Sequence, residues 1–223
     1  MSRNEKLNLI VQLSIPSILA QVTTVLMFYI DAGMVGSLGA RPSAAIGLVE
    51  PATWFIFSLV GAVTMGFSVQ VAHFIGADDF AKARAVMRHG YAFGLCFSLL
   101  MLLTAFLIAP RLPMWLGGGI DIQHDAMLYF LIFSLIAPFH LIEYMSAAML
   151  KVSGDMRRPS MMAILMCVLD VVFNYLFIFP TRTISLLGVE VTMPGLGAGV
   201  AGAALGSLLA FVCVALPLAY YAV

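Results

Sequence analysis

Four acidic side chains lie inside long apolar stretches of this chain, and they are its best candidates for chemistry. They are Asp31, Glu50, Glu143 and Asp170. Placing an ionised group in the hydrocarbon of a membrane costs at least roughly 2.5–3.5 kcal/mol on insertion scales. A carboxyl group in that environment tends to take up a proton or a cation, and a neighbouring carboxyl group strengthens the tendency. Such groups can bind and release an ion as water gains or loses access to them.

Helix geometry predicts which of these groups meet. With a rise of about 1.5 Å per residue, Asp31 lies roughly 10–12 Å below the outer membrane surface. Asp170 and Asn174 are four residues apart, on one face of a later helix, and overlap Asp31 in depth. No Lys or Arg is expected at this depth. We therefore predict that Asp31, Asp170 and Asn174 bind a proton or cation; the alternative is that these carboxyl groups are structural and hydrogen-bonded to neighbouring helices.

Three further polar residues, Glu50, Tyr144 and Gln21, are candidates for lining a cavity. Glu50 precedes Pro51 near the membrane interface, and a structural role explains it at least as well. Polar contacts between helices would explain Tyr144 and Gln21 nearly as well.

His140 and Glu143 stand one helical turn apart on the fourth apolar stretch. We expect them in its inner half, away from the other acids and joined by a hydrogen bond. A metal site would need a third ligand, and no residue at suitable spacing supplies one. We therefore predict no metal site and no cofactor; the exchanged ion would be H⁺ or Na⁺.

Pro16 is a candidate hinge, fifteen residues before Asp31 in the sequence. That separation corresponds to about 22 Å along a helix. Proline removes a backbone hydrogen bond and clashes one turn back, so a helix can bend there. A hinge would convert protonation of Asp31 into bending; a static kink near the inner interface is the alternative.

Six long apolar segments must position these residues. Hydrophobic residues make up 62% of the chain and charged residues only 10%, which excludes an ordinary soluble domain. About 20 helical residues cross a membrane. The predicted helices cover residues 8–38, 43–75, 80–109, 122–152, 158–179 and 195–222, with an outer loop at 180–194. The sequence thus predicts an all-α membrane protein in which residues 1–223 form a single bundle of six transmembrane helices.

Two local motifs support these boundaries. Asp79 is a plausible N-cap for the third helix. Small residues between Gly195 and Gly206 recur at three- and four-residue spacing, which favours close packing of the last helix against a neighbour.

The basic residues predict the orientation in the membrane. Eight of the eleven Lys and Arg residues fall on one side of the six-segment pattern. Basic residues in short loops are retained in the cytoplasm, so we expect both termini there. We expect a multi-pass protein of the plasma (inner) membrane, in contact with lipids. The net charge of zero gives no reason to expect a nucleic-acid partner.

Six stretches, in order along nearly the whole chain, carry a family resemblance. They are Ile15–Gln21, Phe28–Gly39, Val71–Ala77, Leu150–Pro159, Leu169–Phe179 and Gly199–Ala204. Together they resemble the N-terminal half of the multidrug and toxic compound extrusion (MATE) transporters. The resemblance implies an antiporter, not an enzyme, that exports small organic, often cationic compounds in exchange for protons or sodium ions. It also implies one lobe of a twelve-helix transporter whose C-terminal six-helix lobe is absent from this chain.

The resemblance also implies roles for particular residues. An aspartate on the first helix of these transporters is a proton or cation site, and Asp31 matches it; a first-helix proline linked to bending matches Pro16. The fifth helix commonly carries Asn-x-x-x-Asp or Asn-x-x-x-Asn, whereas Asp170 and Asn174 exchange the residue types here. Tyr144 falls near a polar cavity position of the fourth helix.

Several alternatives stay open at this point. A lipid-linked sugar flippase with a similar arrangement of helices would need a more cationic cavity to hold pyrophosphate. The sequence shows no intramembrane Lys or Arg. An intramembrane enzyme would use His140 and Glu143, and a non-transporting membrane partner would keep its acids for structure. The chain is either an excised half or must dimerise to build a cavity. Substrate, coupling ion and conformational state are not determined by these residues.

Overall fold

The computed structural model describes residues 3–186 and 189–222, without the side chains of 3–10, 12–13, 16–17 and 183–192. Its helices and strands are α1 Arg3–Gly36, α2 Ala40–Gly76, α3 Phe80–Ile108, α4 Leu112–Trp115, α5 Gln123–Ser134, α6 Ile136–Val152, α7 Arg157–Ile178, β1 Pro180–Leu186, β2 Val189–Leu196 and α8 Gly199–Ala222.

Six described segments are helical, long and apolar enough to cross a membrane. They are Ile18–Gly36, Ala40–Gly76, Phe80–Ile108, Gln123–Val152, Arg157–Ile178 and Gly199–Ala222. The predicted helical membrane fold is therefore confirmed, and most helix ends lie within a few residues of the predicted ones. The prediction that Asp79 caps α3 is also confirmed, because its carboxylate accepts the backbone N–H of Lys82 at 3.1 Å. A side-chain hydrogen bond from Lys82 lowers the pKa of Asp79 from its ordinary value.

The fourth predicted helix is interrupted once, between α5 and α6. The N–H of Leu135 bonds the carbonyl of Ile132 at 3.1 Å, a tighter turn than an α-helix makes. Pro138 has no N–H for the carbonyl of Ser134, and the Ser134 hydroxyl bonds back to the carbonyl of Phe130 at 2.6 Å. These two residues explain a bend in the middle of this membrane span.

The outer connection predicted as a loop at 180–194 is instead an antiparallel hairpin. Strands β1 and β2 pair from Pro180 opposite Leu196 to Leu186 opposite Val189, with an irregularity between Pro180 and Arg182. The Arg182 guanidinium lies 4.2 Å from the centre of the Phe179 ring, and its Nε donates to the Tyr175 hydroxyl at 3.1 Å. The hairpin is thus fastened to the outer end of α7.

Glycines on α8 allow the closest helix contact of the site region. A Cβ added to Gly206 would overlap the side chain and backbone of Asn174 on α7, and one added to Gly202 would overlap the backbone of Phe177. The predicted role of small residues in packing the last helix is confirmed at these two positions. Beside them, a buried apolar cluster joins α1, α6, α7 and α8 through Met27, Ile136, Met166, Ala210, Phe211 and Val214.

We predict that Gly206→Ala destabilises the bundle, because the new methyl group overlaps Asn174. Overpacking of this kind costs about 1–3 kcal/mol of unfolding free energy. Gly66→Ala is the matched control, since a Cβ there meets no described atom within 4 Å outside its own helix backbone. Thermal unfolding of both variants in detergent checks this. Equal midpoints for the two variants would contradict the packing role of Gly206.

Candidate functional site

The side chains of Asp31, Asp170 and Asn174 form one hydrogen-bonded cluster between α1 and α7. The Asn174 amide nitrogen Nδ2 donates to Asp31 Oδ1 at 2.9 Å and to Asp170 Oδ2 at 3.0 Å. Asp170 and Asn174 are each 1% exposed, whereas Asp31 is partly exposed and faces a cavity. The structure thus brings together the three residues that sequence reasoning placed at one depth.

Two further contacts fix this cluster. The Ser207 side chain on α8 lies within hydrogen-bonding reach of Asp170, and the carboxyl groups of Asp31 and Asp170 lie within reach of each other. The other amide atom, Asn174 Oδ1, lies where a Cβ of Gly206 would be and has no hydrogen-bond partner among the described side chains. The close approach of α8 places the amide against Gly206, and the two carboxylate acceptors hold its donor nitrogen toward the acids.

The cluster has no basic counterpart in the described part of the chain. The ion pairs found there join Arg41 to Asp121, Lys82 to Asp79, His124 to Asp125, His140 to Glu143 and Arg158 to Asp155. None of these involves Asp31 or Asp170. Two carboxyl groups held close together without a cation are unfavourable when both are ionised, since like charges repel strongly in a low dielectric.

A cavity of about 830 Å³ opens beside the cluster. This volume lies in the range of sites that enclose small organic molecules. The described walls include three carboxyl groups, those of Asp31, Glu50 and Glu143, and one Lys or Arg side chain, Lys151. Seven aromatic rings also line it, from residues 28, 54, 57, 129, 133, 144 and 211. The cavity is acidic and aromatic.

The three predicted cavity residues, Glu50, Tyr144 and Gln21, all lie on this wall. Glu50 Oε1 accepts from the indole nitrogen of Trp54 at 3.3 Å. Tyr144 is 42% exposed, and its ring faces the open space. The predicted hinge, Pro16, falls within α1, but its side chain lies outside the described part of the structure.

Glu143 and His140, which we expect apart from the other acids, line the same cavity as Asp31 and Glu50, although no hydrogen bond or ion pair among the described residues joins them to Asp31 or Asp170. Position along a helix does not say which neighbour a helix face meets. The expected hydrogen bond between His140 and Glu143 is wrong. His140 Nδ1 lies 3.7 Å from Glu143 Oε2, which is an ion-pair distance and too long for a hydrogen bond.

Sequence reasoning did not anticipate Ser207, Phe57 and Phe211. Ser207 directly follows Gly206 in the run of small residues, and a serine there is typical of helix packing. Its role beside Asp170 could therefore not be predicted. Phe57 and Phe211 sit in apolar stretches, where a ring facing a cavity and a ring facing lipid have the same sequence signature. No group of three or more His, Cys, Asp or Glu that could hold a metal occurs in residues 3–186 and 189–222.

A bundle of six helices long and apolar enough to cross a membrane, with an acidic cavity between them, defines a multi-pass membrane protein. The MatE family model matches residues 16–176, and the chain belongs to the MATE family, whose members are transporters and not enzymes. The predicted family and non-enzymatic class are confirmed.

The relatives described next are longer than this chain. It is 33% identical over 102 residues to a probable multidrug resistance protein NorM of Synechococcus sp., covering 46% of this chain and 22% of the relative. It is 26% identical over 176 residues to an FAD transporter of Shewanella oneidensis, covering 76% of this chain and 38% of the relative. A crystal structure of MATE in complex with MaD3S superposes with a TM-score of 0.85 at 27% identity, covering 96% of this chain and 45% of that one. The chain spans less than half the length of each.

We predict that Asp31 and Asn174 are energetically coupled, because one hydrogen bond joins them in a buried site. Asp31→Ala, Asn174→Ala and the double variant form a double-mutant cycle, read by unfolding in detergent. Residues in direct contact show interaction energies of about 0.5–3 kcal/mol. Asp121→Ala is the matched control partner for Asn174→Ala, since Asp121 pairs with Arg41 elsewhere. Additive effects of the Asp31 and Asn174 changes would rule out this coupling.

Proposed function

We propose that residues 1–223 form one lobe of a secondary active antiporter, which exports organic, often cationic compounds in exchange for protons or sodium ions. The observation that carries the proposal is the cluster of Asp31, Asn174 and Asp170 beside the cavity. One amide there joins the buried carboxyl group of Asp170 to the partly exposed one of Asp31, and no described Lys or Arg pairs with them.

The chemistry of exchange follows from this arrangement. Two ionised carboxyl groups in this cluster repel each other, so the cluster gains stability when it holds a proton or a monovalent cation. When that ion leaves, the cavity becomes more negative and attracts a cationic compound. The ion and the compound therefore compete for the same negatively charged cavity, and such competition is required for exchange. Asp31 faces the cavity and Asp170 is buried behind it, so Asp31 is the entry point.

The cavity walls support cationic substrates. Aromatic rings attract an organic cation through their negative faces and offer it apolar contact. An anionic substrate fits less well, although one relative is named an FAD transporter. Phosphate groups need cationic partners; the described walls supply Lys151 and, if protonated, His140. The same argument disfavours a flippase of pyrophosphate-linked lipids.

We further propose that a second six-helix bundle completes the transport path. The chain spans less than half the length of the relatives above. One side of α1 carries exposed apolar residues, among them Ile18, Leu19 and Val22. Such a face is suited to lipid or to a second bundle.

We propose that both termini are cytoplasmic and that the membrane is the inner membrane, on the strength of the eight basic residues on one side. Single cysteines at Ser37 and Ser153, after Cys96, Cys167 and Cys213 are replaced by alanine, test the orientation. A membrane-impermeant maleimide applied to intact cells should label S37C, whereas S153C should react only after the membrane is opened. The reverse labelling pattern would contradict the proposal and place both termini outside the cytoplasm.

The transport proposal predicts that Asp31→Asn slows gradient-driven efflux of ethidium about tenfold or more, because the amide cannot exchange a proton. Efflux is measured in cells that produce equal amounts of each complete transporter, with and without a proton or sodium gradient. Asp121→Asn is the matched control, because Asp121 is an exposed acid between α4 and α5; this variant should export at the unmodified rate. Unchanged efflux and unchanged gradient dependence in Asp31→Asn would refute the proposed site.

A further inference from the structure

Glu143 and His140 are partly buried polar residues of the cavity that the ion cluster does not use. They lie one turn apart on α6, with His140 Nδ1 3.7 Å from Glu143 Oε2. His140 Nδ1 is buried and has no hydrogen-bond partner among the described residues. Buried polar atoms are almost always satisfied in folded proteins. His140 Nδ1 is therefore available for a hydrogen bond to a molecule bound in the cavity.

Aromatic rings surround His140, the neighbour of Glu143. The ring centre of His140 lies 4.7 Å from that of Phe57, 5.6 Å from that of Tyr144 and 5.6 Å from that of Phe211, which meets it edge-on. The rings come from α2, α6 and α8, so three helices converge on one spot. All of them, with Glu143, line the same cavity.

We propose that Glu143 and the rings of Phe57, Tyr144 and Phe211 form the subsite for the positive centre of an organic cation. The inference deepens the proposed antiport and rests on it. A quaternary ammonium or phosphonium centre has no hydrogen to donate, so it is recognised by a carboxylate and by the faces of aromatic rings. This wall offers both. His140 adds a polar atom for ligands that carry a hydrogen-bond donor.

Within the described residues, the ion-pair contact of Glu143 is His140, at 3.7 Å, and Lys151 acts on Glu143 from a distance. Lys151 lies eight residues further along the same span, about 12 Å toward the inner end. It makes no ion pair with Glu143 in the described structure. The other acids on the wall, Asp31 on α1 and Glu50 on α2, add to the negative field. A cation at the subsite is therefore attracted by Glu143 directly and by the other acids through space.

The subsite is separate from the ion cluster. Glu143 and His140 are on α6, whereas Asp31 is on α1 and Asn174 and Asp170 are on α7. Among the described side chains, no hydrogen bond or ion pair joins the two groups. An organic cation can thus occupy the subsite without contacting the amide-bridged acids, and the two sites influence each other through the field of the cavity.

Equilibrium binding of tetraphenylphosphonium to the purified full-chain protein, without any ion gradient, tests the subsite. Glu143→Gln should weaken binding about tenfold or more, because it removes the charge and keeps the shape. Glu143→Asp keeps the charge and should restore most of the affinity. Glu50→Gln is the matched loss of another cavity carboxyl group and should cost about threefold or less. Triphenylphosphine oxide, a neutral probe of similar size, should bind the unmodified protein and the three variants with equal affinity.

Three results would overturn the subsite: unchanged cation binding in Glu143→Gln, an equal loss in Glu50→Gln, or loss of the neutral probe together with the cation. Thermal unfolding of each variant shows that the bundle is intact. The test is independent of the antiport proposal, since it needs no gradient. If Asp31→Asn leaves efflux unchanged but Glu143→Gln weakens cation binding, the protein binds organic cations and the proposed ion site is wrong. If Asp31→Asn slows efflux but Glu143→Gln leaves cation binding unchanged, only the subsite is wrong.

Discussion

The approach of α8 to α7 at Gly206 constrains the rest of the site. Because no Cβ stands between them, Asn174 Oδ1 packs against Gly206, and its amide nitrogen is left to face Asp31 and Asp170. One amide group has two hydrogens to donate, which is the number needed to join two carboxyl groups. A side chain in place of Gly206 would move Asn174 and separate the acids. Helix packing and ion chemistry therefore depend on the same contact.

The cavity beside this contact combines two kinds of recognition. Asp31, Asn174 and Asp170 offer paired oxygen atoms suited to a proton or a small cation, and they lack a basic partner among the described residues. Glu143 and the rings near it offer charge and aromatic faces suited to a larger, apolar cation. The negative electrostatic field of one cavity acts on both groups. In the proposed antiport, competition for that field is the physical route by which an inward-moving ion drives the release of a compound outward.

Much of the fold could be predicted from the sequence because membrane helices obey strong local rules. Every peptide group in lipid must be hydrogen-bonded within its own segment, so each long apolar run becomes a helix. The same regularity placed Asp170 and Asn174 on one face and matched them in depth to Asp31. The outer connection escaped prediction because β1 and β2 lie outside the hydrocarbon, where that rule does not hold. The bend at Leu135 required the combined effect of Ser134 and Pro138, which a count of apolar residues does not register.

The sequence by itself determined the six helices and their order, since length and periodicity are properties of single segments. It also determined that the acids near Asp31 would have no Lys or Arg close by. Only the tertiary structure decided which helix faces meet, and this placed Glu143 and His140 in the same cavity as Asp31. It also decided the position of Asn174, because this side chain packs against a glycine more than thirty residues away. Contacts between helices depend on side-chain shape across the bundle, and no single segment carries that information.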